Sequence, residues 1–203
     1  MSRRGANRRM ISACTAALVA LAIGACGGGE SDTVDPGSAG SESALTLEEA
    51  KAPIKKAPPE LVSIRDEANE IFDEGADGYE GRIAELAGTP VVVNNWASWC
   101  APCRDEIPFF QEQAIEHGEE VAFLGLISGD GPETAATFLK ELPLPYPSYL
   151  DQGDLGFDVS RSLGIRGLPG TVFYASSGEV AYTKLGPYDS EEQLAADIDK
   201  YAG

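Results

Sequence analysis

Val92-Val93-Asn94-Asn95-Trp96-Ala97-Ser98-Trp99-Cys100-Ala101-Pro102-Cys103-Arg104-Asp105-Glu106-Ile107-Pro108 decides how this chain is read. With Val91, the valines make a continuous β-branched run, the pattern of a strand covered on both faces. From about Ala101 to His117 the residues suit a helix, with Gly118 as its C-cap. Cys100-Ala101-Pro102-Cys103 therefore falls where a buried strand passes into a helix, and a C-x-x-C in that place is a redox arrangement. Unpaired N–H groups and the macrodipole at the helix start favour a thiolate at Cys100. Each pKa unit of depression corresponds to about 1.4 kcal/mol of preference for the charged form. Cys103 stacks beneath, near enough to close a small disulfide ring. An exposed Cys100 would attack a substrate disulfide, and a buried Cys103 would then attack the mixed disulfide and release the reduced product. Pro102 is compatible with the first helical turn and stiffens the loop.

Outward from this stretch the chain alternates. Upstream, Leu61, Ile64, Ala68 and Ile71 share one helical face ending near Gly75, and a short helix spans Gly81 to Ala87. Downstream, Val121 to Ile127 reads as a second buried strand and Glu133 to Leu142 as an amphipathic helix. Tyr146 to Leu150 reads as a short extended piece and Leu155 to Leu163 as another helix. Thr171 to Ala175 and Val180 to Leu185 flank Ser176-Ser177-Gly178, which is hairpin chemistry. Ser190 caps a last helix ending at Tyr201, with Glu191 and Glu192 in its first turn. This order predicts an α/β fold, a central mixed sheet with helices on both faces.

The chain has 203 residues, 15 Lys+Arg against 33 Asp+Glu, and a formal charge of −18. That length fits one domain plus flanking segments. The acidic balance argues against nucleic acid and against a polybasic membrane contact. The exception to the charge is the start: Arg3, Arg4, Arg8 and Arg9 precede the apolar run Ile11 to Ala25. This run is short for a span of about 20 residues but suits the h-region of a signal peptide. Ile23-Gly24-Ala25-Cys26 resembles the lipobox of bacterial lipoproteins, which implies cleavage before Cys26 and a diacylglycerol on its sulfur. A signal peptide cut at Ala25 that leaves Cys26 free is the other reading. Cleavage would leave 11 basic against 33 acidic residues, a formal charge of −22. With Cys26 acylated, Cys100 and Cys103 would be the two thiols of an exported protein, where disulfides persist. The expected organisation is a lipoprotein signal peptide over 1–25, a flexible acidic Gly/Pro linker over 26–58, and a domain with an N-terminal helical extension over 59–203.

The stretch Val92 to Pro108 resembles the active-site segment of TlpA/ResA-like thiol–disulfide oxidoreductases, membrane-tethered members of the thioredoxin superfamily. The likeness covers roughly Gly88 to Tyr201 and implies a thioredoxin-like fold. Ile165-Arg166-Gly167-Leu168-Pro169-Gly170-Thr171 is similar to the segment that carries the superfamily's cis-proline, so the Leu168–Pro169 bond is expected to be cis and to face the sulfurs. An X-Pro bond is where a cis form costs least; a trans-proline opening a strand is the alternative. Trp99, Pro102, Leu168 and Asn94 are the expected supporting and substrate-contacting residues. Glu106 lies three residues after Cys103, so both share one helix face. A carboxylate beside a buried thiol can take and return its proton, and desolvation raises its pKa. In ResA-like proteins a glutamate at the matching position is implicated in that role; a solvated surface acid is the alternative. Thioredoxin carries a buried aspartate where this chain has Asn94, which cannot accept a proton. Pro108 is expected to kink the helix, and His117 to lie near its C-terminal dipole, away from catalysis.

The resemblance implies an exported, lipid-anchored reductase of protein disulfides. It also suggests apocytochrome c haem-site cysteines among the candidate clients, and a membrane electron donor such as a thiol-transporting membrane oxidoreductase. The redox-active dithiol would be its whole chemistry, with no further cofactor. A zinc site at Cys100 and Cys103 would need two more ligands, and only His117 and carboxylates are on offer. Ala101-Pro102 lacks the histidine that stabilises the reduced form in strongly oxidising relatives, so a low potential is expected. A disulfide-forming oxidase of the same fold is one alternative. Another is a non-catalytic lipoprotein binding module with a structural Cys100–Cys103 bond, though so short a loop constrains the unfolded chain little. Against a thiol peroxidase stand the missing peroxidatic context and Trp99 before Cys100.

Overall fold

The structure, a computed structural model, describes residues 45–153 and 156–202. The expected signal peptide, Cys26 and the first part of the expected linker lie outside the described residues. In chain order the elements are α1 (Leu47–Ala50), α2 (Pro59–Asp66), β1 (Ile71–Phe72), α3 (Gly75–Glu85), β2 (Val91–Trp96), α4 (Ala101–Glu116) and β3 (Ala122–Ser128). They continue with α5 (Pro132–Glu141), β4 (Ser148–Asp151), α6 (Asp158–Ser162), β5 (Gly170–Tyr174), β6 (Val180–Leu185) and α7 (Glu191–Tyr201). The sheet order is β1-β4-β3-β2-β5-β6. The first four of these strands run parallel, β5 runs antiparallel to β2, and β6 antiparallel to β5. This is a thioredoxin-like α/β fold with a mixed sheet covered on both faces.

Alternation along β2 assigns the layers. Val92, Asn94 and Trp96 point one way: Asn94 meets Glu106 of α4, and Trp96 stacks on Phe138 of α5 at 5.0 Å. Phe173, opposite Val92 in register, meets Tyr201 of α7 on that same face. Tyr174, opposite Val91, points the other way and shares a 2.9 Å hydroxyl–hydroxyl hydrogen bond with Tyr79 of α3. On that second face Asn95 donates to Ser128, Ser128 donates to Asp151, and Asp151 accepts the Val159 and Ser160 N–H groups at the start of α6. All six residues of β2 and all seven of β3 are buried, as the apolar runs predict.

Three local expectations give way. The first helix stops at Asp66 because Asn69 takes a left-handed conformation (φ 67°), one a short polar side chain tolerates. Its side chain there accepts the Leu144 N–H and donates to the Leu139 carbonyl. Ile71, expected on that helix, instead pairs with Ser148 as an edge strand. The next helix begins at Gly75 rather than Gly81, since Gly75, Gly78 and Gly81 lower the propensity by which a helix is recognised. α4 runs through Pro108, and its C-cap is His117, not Gly118. Gly118 answers a close approach instead: a Cβ there would lie 2.4 Å from the Ala114 carbonyl oxygen and 2.8 Å from Arg65 Nη2.

Part of the expected linker is packed. Thr46 and Glu49 form a capping box, Ala50 is fully buried, and Ile54 and Ala57 pack against the core. Arg65, also buried, donates to Ala114 O at 2.8 Å and Ala52 O at 3.4 Å, pinning this lead-in to α4.

Phe110 on α4 is fully buried and meets the Tyr188 ring edge-on at 6.0 Å. Phe110→Ala is expected to cost about 3–5 kcal/mol, measured by urea unfolding; a loss under about 1 kcal/mol would show that the helix does not depend on this contact.

Candidate active site

The loop that follows β2 places both sulfurs at the start of α4. Cys100 is the N-cap, and its sulfur accepts the Cys103 N–H at 3.3 Å. Cys100 and Cys103 are joined in a disulfide, with S–S 2.00 Å and Cα atoms 5.3 Å apart. Cys103 is fully buried, as expected. Cys100 is not the exposed residue that was expected: it retains 4% of its surface in the disulfide form. It packs into the core cluster, and the loop presents Trp99 to solvent instead, 60% exposed. Pro102 occupies the first turn of α4, where its missing N–H would have lacked a helical partner anyway.

Two residues after β3 hold this loop, and sequence reasoning did not single them out. The Ser98 N–H donates to Asp130 Oδ2 at 2.7 Å, and Trp99 Nε1 donates to the Gly129 carbonyl at 2.9 Å. Asp130 also accepts the Gly131 N–H at 2.8 Å and the Thr134 hydroxyl. Burial pushes the Asp130 carboxyl up, but the bonds from Ser98, Thr134 and Gly131 outweigh it and hold it below its ordinary value. An Asp just ahead of a Pro-initiated helix is a recognisable start signal. Its bond across 32 residues to Ser98 has no local signature.

Glu106 is fully buried, not a surface acid. Asn94 Nδ2 donates to its Oε1 at 3.2 Å, and the Tyr188 N–H donates to its Oε2 at 2.9 Å. Burial pushes the carboxyl up to about 7, opposed by the Tyr188 N–H, the charge of Lys184 and the Asn94 amide. Lys184 is itself fixed: Nζ donates to the Gly186 and Pro187 carbonyls at 3.1 and 2.6 Å and lies 4.4 Å from the Tyr188 ring centre. The Tyr188 hydroxyl donates to Asp197 at 2.9 Å. The turn between β6 and α7 thus belongs to the site, though no spacing in the chain marks it.

The Leu168–Pro169 bond is cis. Gly170 begins β5 opposite Asn95 of β2, so Pro169 lies at the same end of the sheet from which the Cys100 loop departs. A cleft of about 240 Å³ takes in both Trp99 and half-buried Leu168. A second cleft of similar size takes in Pro102, Asp105 and Tyr188. His117 caps the opposite end of α4. Among the described residues, no group of three or more His, Cys, Asp or Glu could hold a metal ion.

The AhpC/TSA family matches residues 64–183. The thiol:disulfide interchange protein DsbE of Escherichia coli (strain K12) is 32% identical over 138 residues, covering 66% of this chain and 70% of that protein. Thiol-disulfide oxidoreductase ResA of Oceanobacillus iheyensis is 31% identical over 110 residues, 54% of this chain and 56% of that one. The structure of MTB dsbF in its mixed oxidised and reduced forms superposes with a TM-score of 0.51 at 26% identity, covering 58% of this chain and 84% of that one. The C-x-x-C disulfide in this fold is the redox centre of a thiol–disulfide oxidoreductase. The chain belongs to the AhpC/TSA family, as a thioredoxin-superfamily protein related to the DsbE, ResA and TlpA-like oxidoreductases.

Proposed function

We propose that this chain is exported, held at the extracytoplasmic face of a membrane by a lipid on Cys26, and reduces disulfides in protein clients through Cys100 and Cys103. The observation that carries the redox part is the Cys100–Cys103 disulfide at the start of α4, with buried Glu106 on the same helix. Export rests on the basic start, the apolar run and Ile23-Gly24-Ala25-Cys26. Among the described residues no helix is long and apolar enough to cross a membrane.

In the dithiol form, the Cys100 thiolate, favoured by the helix start, attacks one sulfur of a client disulfide. A Cys100–client bond forms and the other client sulfur leaves as a thiolate. Glu106 takes the Cys103 proton, and the Cys103 thiolate attacks Cys100 Sγ, closing the ring and releasing the second client sulfur. The client gains two electrons and, with two protons, becomes a dithiol. The ring has lost the same two electrons, and a thiol-transporting membrane oxidoreductase restores them by the reverse exchange. A carboxyl with a pKa of about 7 is suited to both taking and returning a proton near neutrality. Pro169 offers no N–H to compete for the sulfurs, and Trp99 with Leu168 gives the client an apolar seat. A relative named for thiol:disulfide interchange supports the exchange itself, and the resemblance to ResA-like proteins supports haem-site cysteines of apocytochrome c as clients. A disulfide-forming oxidase would use the same atoms in the opposite direction, and a redox titration against glutathione separates the two.

Cys100→Ser is expected to abolish reduction of insulin disulfides in the presence of a chemical reductant; unchanged turnover would remove the enzymatic reading. Cys103→Ser should still perform the first exchange and accumulate a client adduct, visible as a mass increase on the intact chain.

Glu106 supplies a pH test. Its folded pKa lies above the ordinary 4.5, so the folded chain binds the extra proton in that window and loses relative stability as pH rises from 4.5 to about 7. Against Glu106→Gln, wild type should lose on the order of 3 kcal/mol across that range in urea unfolding. The rate of ring closure, followed by stopped flow, should rise through about pH 7 in wild type and flatten in Glu106→Gln. Superimposable profiles would remove Glu106 from the proton route.

A further inference from the structure

The cleft shared by Trp99 and Leu168 carries positive charge in a chain with 33 acidic and 15 basic residues. Its walls are Trp99, Phe157, Arg161, Ile165, Arg166 and Leu168. Ile165 is buried, whereas Arg161 and Arg166 are exposed. The Arg161 guanidinium lies 5.6 Å from the Phe157 ring centre, and its partner Asp158 is 3.8 Å away with both side chains more than half exposed. Such a pair holds its members weakly. Arg166 forms no ion pair with any described residue. The cleft on the Pro102 side has the opposite sign, with Asp105 and Asp189 in its walls. Trp99 and Pro102, on either side of Cys100-Ala101, thus open onto clefts of opposite charge.

We infer that the Arg161/Arg166 cleft receives a client segment that carries aspartate or glutamate on one side of its reacting cysteine. The inference rests on the protein-disulfide reading above and gives its substrate a chemistry. A guanidinium presents a planar fork of donors that matches a carboxylate bidentately. Neither Arg161 nor Arg166 has a strong internal claim on that fork. Elsewhere the excess of carboxylates repels an acidic segment, so a pair of arginines beside the disulfide sets both where and in which orientation it docks. Trp99 and Leu168 supply the apolar contact; the arginines supply the discrimination.

Three short peptides test this, each with one cysteine held as a mixed disulfide with 2-mercaptoethanol and differing only in whether Glu, Gln or Lys flanks it. The full chain is kept in its dithiol form by a chemical reductant, whose own rate is subtracted. At low salt kcat/KM should then be higher for the Glu peptide than for the Gln peptide, and the gap should narrow as salt is added. In Arg161→Gln/Arg166→Gln the Glu:Gln ratio should fall about tenfold, the scale of two exposed charge contacts. A wild-type ratio at or below one overturns the inference and makes the cleft an apolar seat. A ratio that survives in the double variant overturns it as well, by placing the selectivity elsewhere. Absence of turnover on all three peptides is a different failure, of the oxidoreductase reading itself.

Discussion

A carboxyl group taken out of water is expensive unless both of its oxygens are met. Glu106 is met from two directions: by the Asn94 amide on the central strand and by the Tyr188 N–H on the segment joining β6 to α7. Those two bonds tie the sulfur-bearing helix to the middle of the sheet and to the last helical connection. The price is partial neutralisation, since burial leaves the carboxyl with a pKa of about 7. Structure and chemistry converge here. The carboxyl that these two bonds hold between sheet and turn is the one that burial pushes up to about 7.

The loop bearing Trp99 and Cys100 depends on a second set of long-range bonds. Asp130 and Gly129 follow β3, which lies beside β2, so parallel pairing alone brings them to the loop they hold. A Cβ at Gly129 would lie 2.3 Å from the Phe157 ring, and its φ of +64° disfavours any side chain. The glycine lets Phe157 close in, and Phe157 in turn forms part of the basic cleft. Phe157, Gly129 and Trp99 make one contact chain from α6 to the redox pair.

How much of this was legible in the sequence follows from which contacts are local. The strand–helix junction could be read because Val91 to Val93 and Cys100 to Cys103 are contiguous. Glu106 could be nominated because its distance from Cys103 is a helical repeat. Pro169 was legible through its resemblance to a known segment. What escaped is held across the chain: the Tyr188 N–H reaches Glu106 over 82 residues, and Asp130 reaches Ser98 over 32. Ile71 was misplaced because its apolar spacing fits a helical face and a two-residue edge strand equally. The burial of Cys100 was missed because a reactive sulfur is expected at the surface, whereas this one shelters under its own loop while oxidised.

Arg65 joins two distant parts of the chain, Ala52 and Ala114, and that staple fixes where the lead-in meets the domain. Ala114 lies near the C-terminal end of α4 and Cys100 caps its N-terminal end; at 1.5 Å of rise per residue they are separated by roughly 20 Å. The lead-in is therefore moored at one pole of the helix and the redox pair sits at the other. The working end of the helix is thereby left clear of the mooring.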